Sequence, residues 1–471
     1  MIKKFFLSIS ILIIIFLFLI FYVAPNSINK PGGLYWYLKA LVPEPIKLFI
    51  KENLIKSKMD QIKKEKIEKT LNQKEENKLI LNTLKKLKLI DKGNLKSKEN
   101  KKFEFNKYQV PFSSQILWAG KPSAYIEYFE NNVILSSGNA QFLYFDFKEL
   151  QNKEITFEKL DSNIKDIVKY KEFYEPGNLG IRDLEVIENK IYLTYPKEMG
   201  DDCYVMSILK AEINFNFLKF DEFYTYKKCL GTWLSTRSGG RLESMNDYIL
   251  LSIGDYGLEE YPPSSQDLEN FYGKIIKINK LNKNAEIISY GHRNPQGLYY
   301  DNELNVILET EHGPNGGDEL NLIYNNNKIN NYGWPISSYG KHYDGTVKRH
   351  KENNTYESLV KGAPLHKSHK KYGFIEPLKD WTPSIGISQV IKVSYKFRKD
   401  YLNDYWIAAM GNNIPEGDMT IHHLRFSKDF SEIEFKDKLV VNERIRDLIY
   451  IEEKNLILLL LENTPALLVI K

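Results

Sequence analysis

"GHRNPQG" (291–297) and "TEHGPNGGDELNLI" (310–323) lie close together in a glycine-rich part of a 471-residue chain that is otherwise rich in Lys, Asn and Ile. Glycine lets backbone approach a ligand closely, so such a stretch offers carbonyl oxygens where most sites offer side chains. Working outward, the flanking text from residue 103 onward is made of short apolar runs divided by turn residues: "NNVILSSGNAQFLYFDF", "ENKIYLTY", "NDYILLSIGD", "GKIIKIN", "NVILETEHG", "DYWIAAMG" and "NLILLLLEN". Runs of this length, rich in Ile, Leu, Val and Tyr, read as strands. Strand and tight turn recur over the body of the chain with no helical pattern of comparable strength, which implies a repeated antiparallel unit, a propeller or a large sandwich. The 13% aromatic content, with 31 Tyr and 25 Phe against 7 Met, agrees with an all-β class.

The net charge of +5 conceals an asymmetry. Residues 1–102 hold 22 Lys, no Arg and 9 acidic residues, a balance of +13, which leaves −8 for the remainder. The positive charge is therefore a tail and not a face of the fold, and because it follows a membrane-type segment no nucleic acid is expected as a partner.

That segment is "MIKKFFLSISILIIIFLFLIFYVAP", in which Phe5 to Ala24 carry no charge. A helix of this length spans a bilayer core of about 30 Å. Residues 1–25 are expected to form a single-pass transmembrane helix, with a cleaved signal peptide as the competing reading. Lys3 and Lys4 precede the span and place the N-terminus in the cytoplasm, whereas the basic stretch behind it resists translocation. Either reading exports the body to the periplasmic side. Cys203 and Cys229 fit an exported domain with one disulfide, two unpaired core thiols being the alternative.

Residues 26–105 read as a basic, mostly helical stalk. No Gly or Pro occurs from Ile46 to Lys92, and Ile55, Met59, Ile62, Ile67 and Leu71 form one stripe until "DKGNLKSKENKK" (91–102) breaks it. The expected propeller occupies residues 106–471, with 106–174 supplying the first blade.

"GHRNPQGL", "TEHGPNGGDELNLI" and "NYGWPISSYG" (331–340), followed in family order by "SGGRL" (238–242), "SIGD" (252–255) and "ERIRD" (443–447) at their own places, resemble the soluble-type glucose/sorbosone dehydrogenases. The resemblance implies a six-bladed β-propeller and a quinoprotein oxidoreductase that uses pyrroloquinoline quinone (PQQ) and calcium. It implies that the backbone carbonyls of Gly313 and Pro314 hold the metal, with Asp318 near the metal and its waters. Arg293 and Asn294 match the pair that binds the cofactor's carboxylates and ring oxygens, Arg444 and Arg446 the stacking and anion-pairing arginines, and Thr382 a fainter contact. A planar tricarboxylate suits arginine's bidentate fork.

Three positions depart from the family. Its base, a histidine that takes the sugar's hydroxyl proton, falls on Arg237, and all eight histidines lie at or after residue 292. Arginine stays protonated and cannot be a general base. Gly411, in "AAMGNN", stands where the family presents a Lys or Arg, and the loop at "GNLGIRDLEV" is rewritten. Two readings follow: a membrane-anchored sugar dehydrogenase in which Asp183 or another carboxylate replaces the histidine or Arg237 holds an acidic substrate, and an inactive propeller whose funnel binds a glycan, an anionic ligand or a partner protein. A non-redox enzyme such as a lactonase is the third. Arg237 is expected in the funnel near Arg293, Arg444 and Arg446, where clustered cations call for an anion. Oligomeric state is not indicated.

Overall fold

A computed structural model describes residues 85–111, 124–169, 172, 180–200, 203–230, 237–258, 264–314, 316–326, 328–340, 369–411 and 417–471. The chain parts into two units; one, Met1–Lys69 with Tyr343–Thr346, lies outside these residues, and the other carries all of them. The expected transmembrane helix and the stalk up to residue 84 therefore fall outside the described residues, among which no helix is long and apolar enough to cross a membrane.

Six antiparallel sheets form the unit. Blade I holds Ala124–Phe129, Asn132–Ser137, Phe142–Asp146 and Glu158–Leu160; blade II holds Asp183–Ile187, Lys190–Gly200, Cys203–Glu212 and Asp221–Thr225. Blade III runs from Gly239–Met245 through Tyr248–Ile253 and Lys274–Asn279 to Ala285–Tyr290, and blade IV from Pro295–Asp301 through Val306–Glu311 and Asp318–Tyr324 to Lys379–Trp381. Blade V comprises Ile387–Val393, Asp404–Ala409, Thr420–Phe426 and Ile433–Val440. Blade VI joins Ile445–Ile451, Leu456–Leu461 and Ala466–Ile470 to Lys102–Gln109 from the other end of the sequence, and Lys86–Lys96 and Glu154–Thr156 extend it. The first strand of each blade touches the first strand of the next, from blade I round to blade VI and back, so the ring is closed. This is the expected six-bladed propeller.

Two boundaries differ from expectation. Lys102–Gln109 belongs to the last blade, pairing with Ala466–Ile470, and blade I begins only at Ala124. A strand's composition does not say which sheet it joins, and closing the ring this way removes two open sheet edges. Residues 86–92, expected in the helical stalk, are strand, and the "DKGN" turn signal lies inside that strand. Leu87 and Leu89 alternate with Lys and pair against Ile155 and Tyr108, so sheet pairing overrides the helix-favouring composition.

The apolar core lies in layers between blades. Ile126 and Leu135 pack with Leu458 and Leu460 between blades I and VI, and Leu184 and Leu193 with Tyr125 and Phe142 between I and II. Leu308 and Leu320 meet Tyr405 and Ile407 between IV and V. The middle strands are buried on both faces, which is why they read as unbroken apolar runs. Cys203 and Cys229 are disulfide-bonded within blade II, with Cα atoms 6.1 Å apart, as expected of an exported domain.

Candidate functional site

Each first strand alternates between interblade core and central channel, because side chains two residues apart share a face. Around the axis this brings Asp183, Arg241 and Asp447 together from blades II, III and VI. Arg241, 4% exposed, donates from Nη1 to Asp183 Oδ1 at 2.6 Å and Asp447 Oδ1 at 2.9 Å, from Nε to Gln296 O at 2.7 Å, and from Nη2 to Arg446 O at 3.0 Å. One guanidinium thus ties four blades. Burial works against its charge, but Asp183 and Asp447 outweigh burial and hold its pKa above the usual value. Asp183, considered as a replacement base, is committed: Oδ1 takes Arg241 and Oδ2 takes the Leu242 N–H at 2.7 Å. One step further along the same strands a cavity of about 450 Å³ is lined by Glu127, Glu185 and Glu243.

At the other end of that channel, the loops leading into the first strands carry the family motifs. Arg237 Nη1 lies 3.3 Å from Asp255 Oδ2, and Asp255 Oδ2 also accepts the Trp334 indole N–H at 2.7 Å. The Arg293 guanidinium sits over the Trp334 ring, 5.2 Å from its centroid, and its Nη1 donates to Gly313 O at 2.7 Å and His312 O at 3.0 Å. Asn294 Oδ1 accepts the Gly239 N–H at 3.3 Å, joining this loop to blade III. Arg237, Asp255, Trp334, Arg293 and Gly313 therefore form one continuous wall. Gly313 has to be glycine, since a Cβ there would collide with the carbonyl oxygens of Gly316 and Gly317. The result is a loop that presents backbone oxygen, already serving a cation in the form of Arg293.

Asp318, 1% exposed, organises that loop. Its Oδ1 accepts the Gly313 N–H at 3.1 Å, and its Oδ2 accepts those of Ile385, Gly386 and Ile387 at 3.1, 2.8 and 3.1 Å. Burial pushes its pKa up, but His312 and the backbone N–H donors outweigh burial and hold it below the usual carboxylate value. Thr382 Oγ1 accepts the Gly317 N–H at 3.2 Å, at the rim of the same loop. Pro314 is buried beside Gly340.

Arg444 and Arg446 share one carboxylate: Glu462, 1% exposed, takes Arg444 Nε at 2.9 Å and Arg446 Nε at 2.5 Å, and Arg444 also donates to Met410 O. Arg241's bonds to Arg446 O and Gln296 O place this pair and the Arg293–Asn294 loop around the same channel mouth. At Gly411 a side chain would run into the Asp418 carboxylate, so the absence of the family's Lys or Arg is built into the packing. Arg237, Arg293, Arg444 and Arg446 against Asp255 and Glu462 leave a surplus of two positive charges. The expected cation cluster is thus present but about half neutralised by carboxylates that the motif reading had not assigned.

Behind the wall lies a buried acidic group in blade IV. His292 Nδ1 stands 3.2 Å from Glu311 and 3.7 Å from Glu309, close enough for the three to share a metal ion. Asn321 Nδ2 donates to Glu309 at 3.0 Å and Glu311 at 3.1 Å, and His369 Nε2 lies 3.0 Å from Glu319. Burial and the neighbouring Glu311 push Glu309 well above the usual value, so at least one proton is retained in this group.

Reading the motifs missed Asp255, Trp334 and Glu462 as members of the wall. Asp255 and Trp334 stand inside quoted motifs, "SIGD" and "NYGWP", where their types gave the signal; Glu462 stands in an apolar run and gave none.

Comparison with known proteins agrees with this geometry. The family model for Glucose / Sorbosone dehydrogenase matches residues 155–469. Among curated proteins, the chain is similar to the aldose sugar dehydrogenase YliI of Escherichia coli, with 32% identity over 173 residues, 33% of this chain and 44% of that protein. It is similar also to quinoprotein glucose dehydrogenase B of Acinetobacter calcoaceticus, with 28% identity over 184 residues, 30% of this chain and 37% of that protein. An uncharacterized protein of Synechocystis matches at 30% over 233 residues, 44% of this chain and 50% of its own, so the chain spans half or less of the curated relatives it matches. The crystal structure of the soluble aldose sugar dehydrogenase of E. coli in its apo form superposes with a TM-score of 0.58 at 19% identity, covering 78% of this chain and 99% of that one, a likeness of fold. With the motifs, the ring of blades and a family match over more than half its length, the chain belongs to the glucose/sorbosone dehydrogenase family.

Proposed function

We propose that this protein oxidises a sugar or related alcohol with PQQ and calcium held at the channel mouth, in a propeller anchored at the periplasmic face by residues 1–25. The observation that carries the reading is the union of a backbone-oxygen loop at Gly313 with a surplus of arginine charge around the same mouth. Carbonyl oxygen without thiolate suits a hard cation, and the arginines suit a planar polycarboxylate. Gly313 and Pro314 would hold the calcium, and Arg293, Asn294, Thr382, Arg444 and Arg446 the cofactor. Bound, this pair supplies an electrophilic quinone carbonyl that accepts the substrate's hydride.

The chain's own part is to bind and orient the alcohol and to remove its hydroxyl proton. Arg237 has no lone pair to offer, but it fixes Asp255, which also holds the Trp334 indole. In this reading Asp255 accepts the proton and Arg237 stabilises the carboxylate between turnovers. Replacing the usual base in this way costs about 10² to 10⁴ in rate.

The test is reconstitution of the purified protein with PQQ and calcium, followed by absorbance as aldoses are added. Asp255→Asn should bind PQQ and fail to bleach on adding sugar, while Arg237→His should bleach faster than the parent. A parent protein that takes up no PQQ at any calcium concentration would overturn the reading.

A further inference from the structure

Lys274 opens the third strand of blade III, fully buried, and no carboxylate is within hydrogen-bond reach of it among the described residues. Its Nζ instead donates to three backbone carbonyls, Ser264 O at 2.9 Å, Ser265 O at 3.1 Å and Tyr272 O at 2.7 Å. Serving three acceptors takes three N–H groups, which an ammonium has and a neutral amine lacks. A ring of carbonyls around one buried positive charge is otherwise the setting of a bare monovalent cation.

What this charge pins is the back of the site. Ser265 Oγ and Gln266 Nε2 both donate to Trp334 O, at 2.8 and 2.6 Å. Ser265 O accepts the Gly291 N–H at 3.0 Å, and Gly291 O accepts the Trp334 N–H at 2.9 Å. Trp334 in turn spans Asp255 and Arg293. The Ser264–Gln266 turn has a short sequence and little apolar area with which to hold itself in place, so its position depends on the charge beneath it.

We infer that Lys274 is the positioning residue of the Trp334 wall, acting as a built-in monovalent cation whose place ammonium or potassium can take when the side chain is removed. Lys274 touches neither substrate nor cofactor; it acts through the Ser264–Gln266 turn. The inference rests on the proposed function only in taking the Trp334–Asp255–Arg237 wall as the one that meets the substrate.

The experiment uses the full chain, Lys274→Ala and Lys274→Met, with hydrogen exchange followed at the Gly291 and Trp334 amides and tryptophan emission as a second signal. In tetramethylammonium chloride, Lys274→Ala should exchange these amides about tenfold faster than the parent or more, given that hydrogen bonds to a charged group contribute about 1.5–3 kcal/mol. Equimolar ammonium chloride, and to a lesser degree potassium chloride, should restore protection and emission. Lys274→Met, whose stem fills the space without a charge, should show the same loss with no rescue. Parent-like exchange in Lys274→Ala, or equal behaviour in ammonium and tetramethylammonium, overturns the inference; so does failure of both variants to fold in every salt, which would make Lys274 a residue of the global core. A parent protein that binds no PQQ would remove the proposed function and leave the exchange result standing.

Discussion

Replacing Arg241 by methionine keeps most of the side-chain volume and removes the charge that ties four blades together. It leaves Asp183 and Asp447, 1% and 2% exposed, facing each other without their shared cation; each retains one backbone donor, Leu242 N for Asp183 and Ile126 N for Asp447. Breaking a buried ion pair in this way costs about 3–5 kcal/mol. Gln296 O and Arg446 O also lose their donor, though water from the adjoining cavity can reach them, so they add about 1 kcal/mol at most. The expected loss is about 4 kcal/mol near neutral pH, a large part of a domain's usual 5–15 kcal/mol. The sign of the pH dependence follows from the carboxylates. Without Arg241 their folded-state pKa values rise further above the unfolded values, so the folded variant binds more protons than the unfolded chain. Its stability therefore falls as pH rises, and the deficit against the parent shrinks as pH is lowered from 8 to 5. Urea midpoints read by tryptophan emission at both pH values measure this. A deficit below about 1 kcal/mol, or one equal at the two pH values, would show that Arg241 is not the common anchor of the ring.

Three further outcomes are expected. Burial pushes the Glu243 carboxyl up to about 8, with the Ser244 and Tyr300 backbone N–H groups opposing, so it costs stability as pH rises from about 4.5 through 8; Glu243→Gln should raise the urea midpoint at pH 8 by an amount on the order of 1–2 kcal/mol and leave it unchanged at pH 4.5. Arg293 and a metal ion compete for Gly313 O, so Arg293→Met should bind calcium more tightly in the absence of PQQ and bind PQQ more weakly, both by calorimetry. Cys203→Ser opens a loop closed across 26 residues and should lower stability by about 3 kcal/mol under oxidising conditions, with no further loss on adding reductant.

How much of this could be read in the sequence follows from where each residue's partners lie. The middle strands, such as Tyr248–Ile253 and Leu456–Leu461, are buried on both faces and announce themselves as apolar runs. The first strands do not, because alternate positions carry the polar lining of the channel: "GGRLESM" and "IRDLIYI" read as motifs before they read as strands. Gly313 and Gly411 were legible as glycines, but what surrounds them comes from elsewhere in the chain: Arg293 supplies the cation at Gly313 O, and Asp418 fills the space a side chain would need at residue 411. The partners of Arg241 lie 58 and 206 residues away in sequence, and no local pattern encodes such a pairing. Lys86–Lys96 misled for the same reason, since its lysine-rich text favours a helix until Lys102–Gln109 and Glu154–Thr156 offer it sheet edges.

The seam in blade VI sets the order in which this protein can be completed. Lys102–Gln109 leaves the ribosome early and can pair at once with Lys86–Lys96, but its other edge waits for Ala466–Ile470. At 5–20 residues per second, the 365 residues separating Phe105 from Ile470 take roughly 20 to 70 s to synthesise. Throughout that interval the growing chain exposes an unsatisfied strand edge, and the interblade layer that flanks it is missing a wall. A product that stops a few residues short of Ile470 keeps every motif of the site and loses the closure that holds the motifs in one ring. Quality control acting on this chain therefore reads its last strand, which lies far in sequence from the loops that give the family its signature.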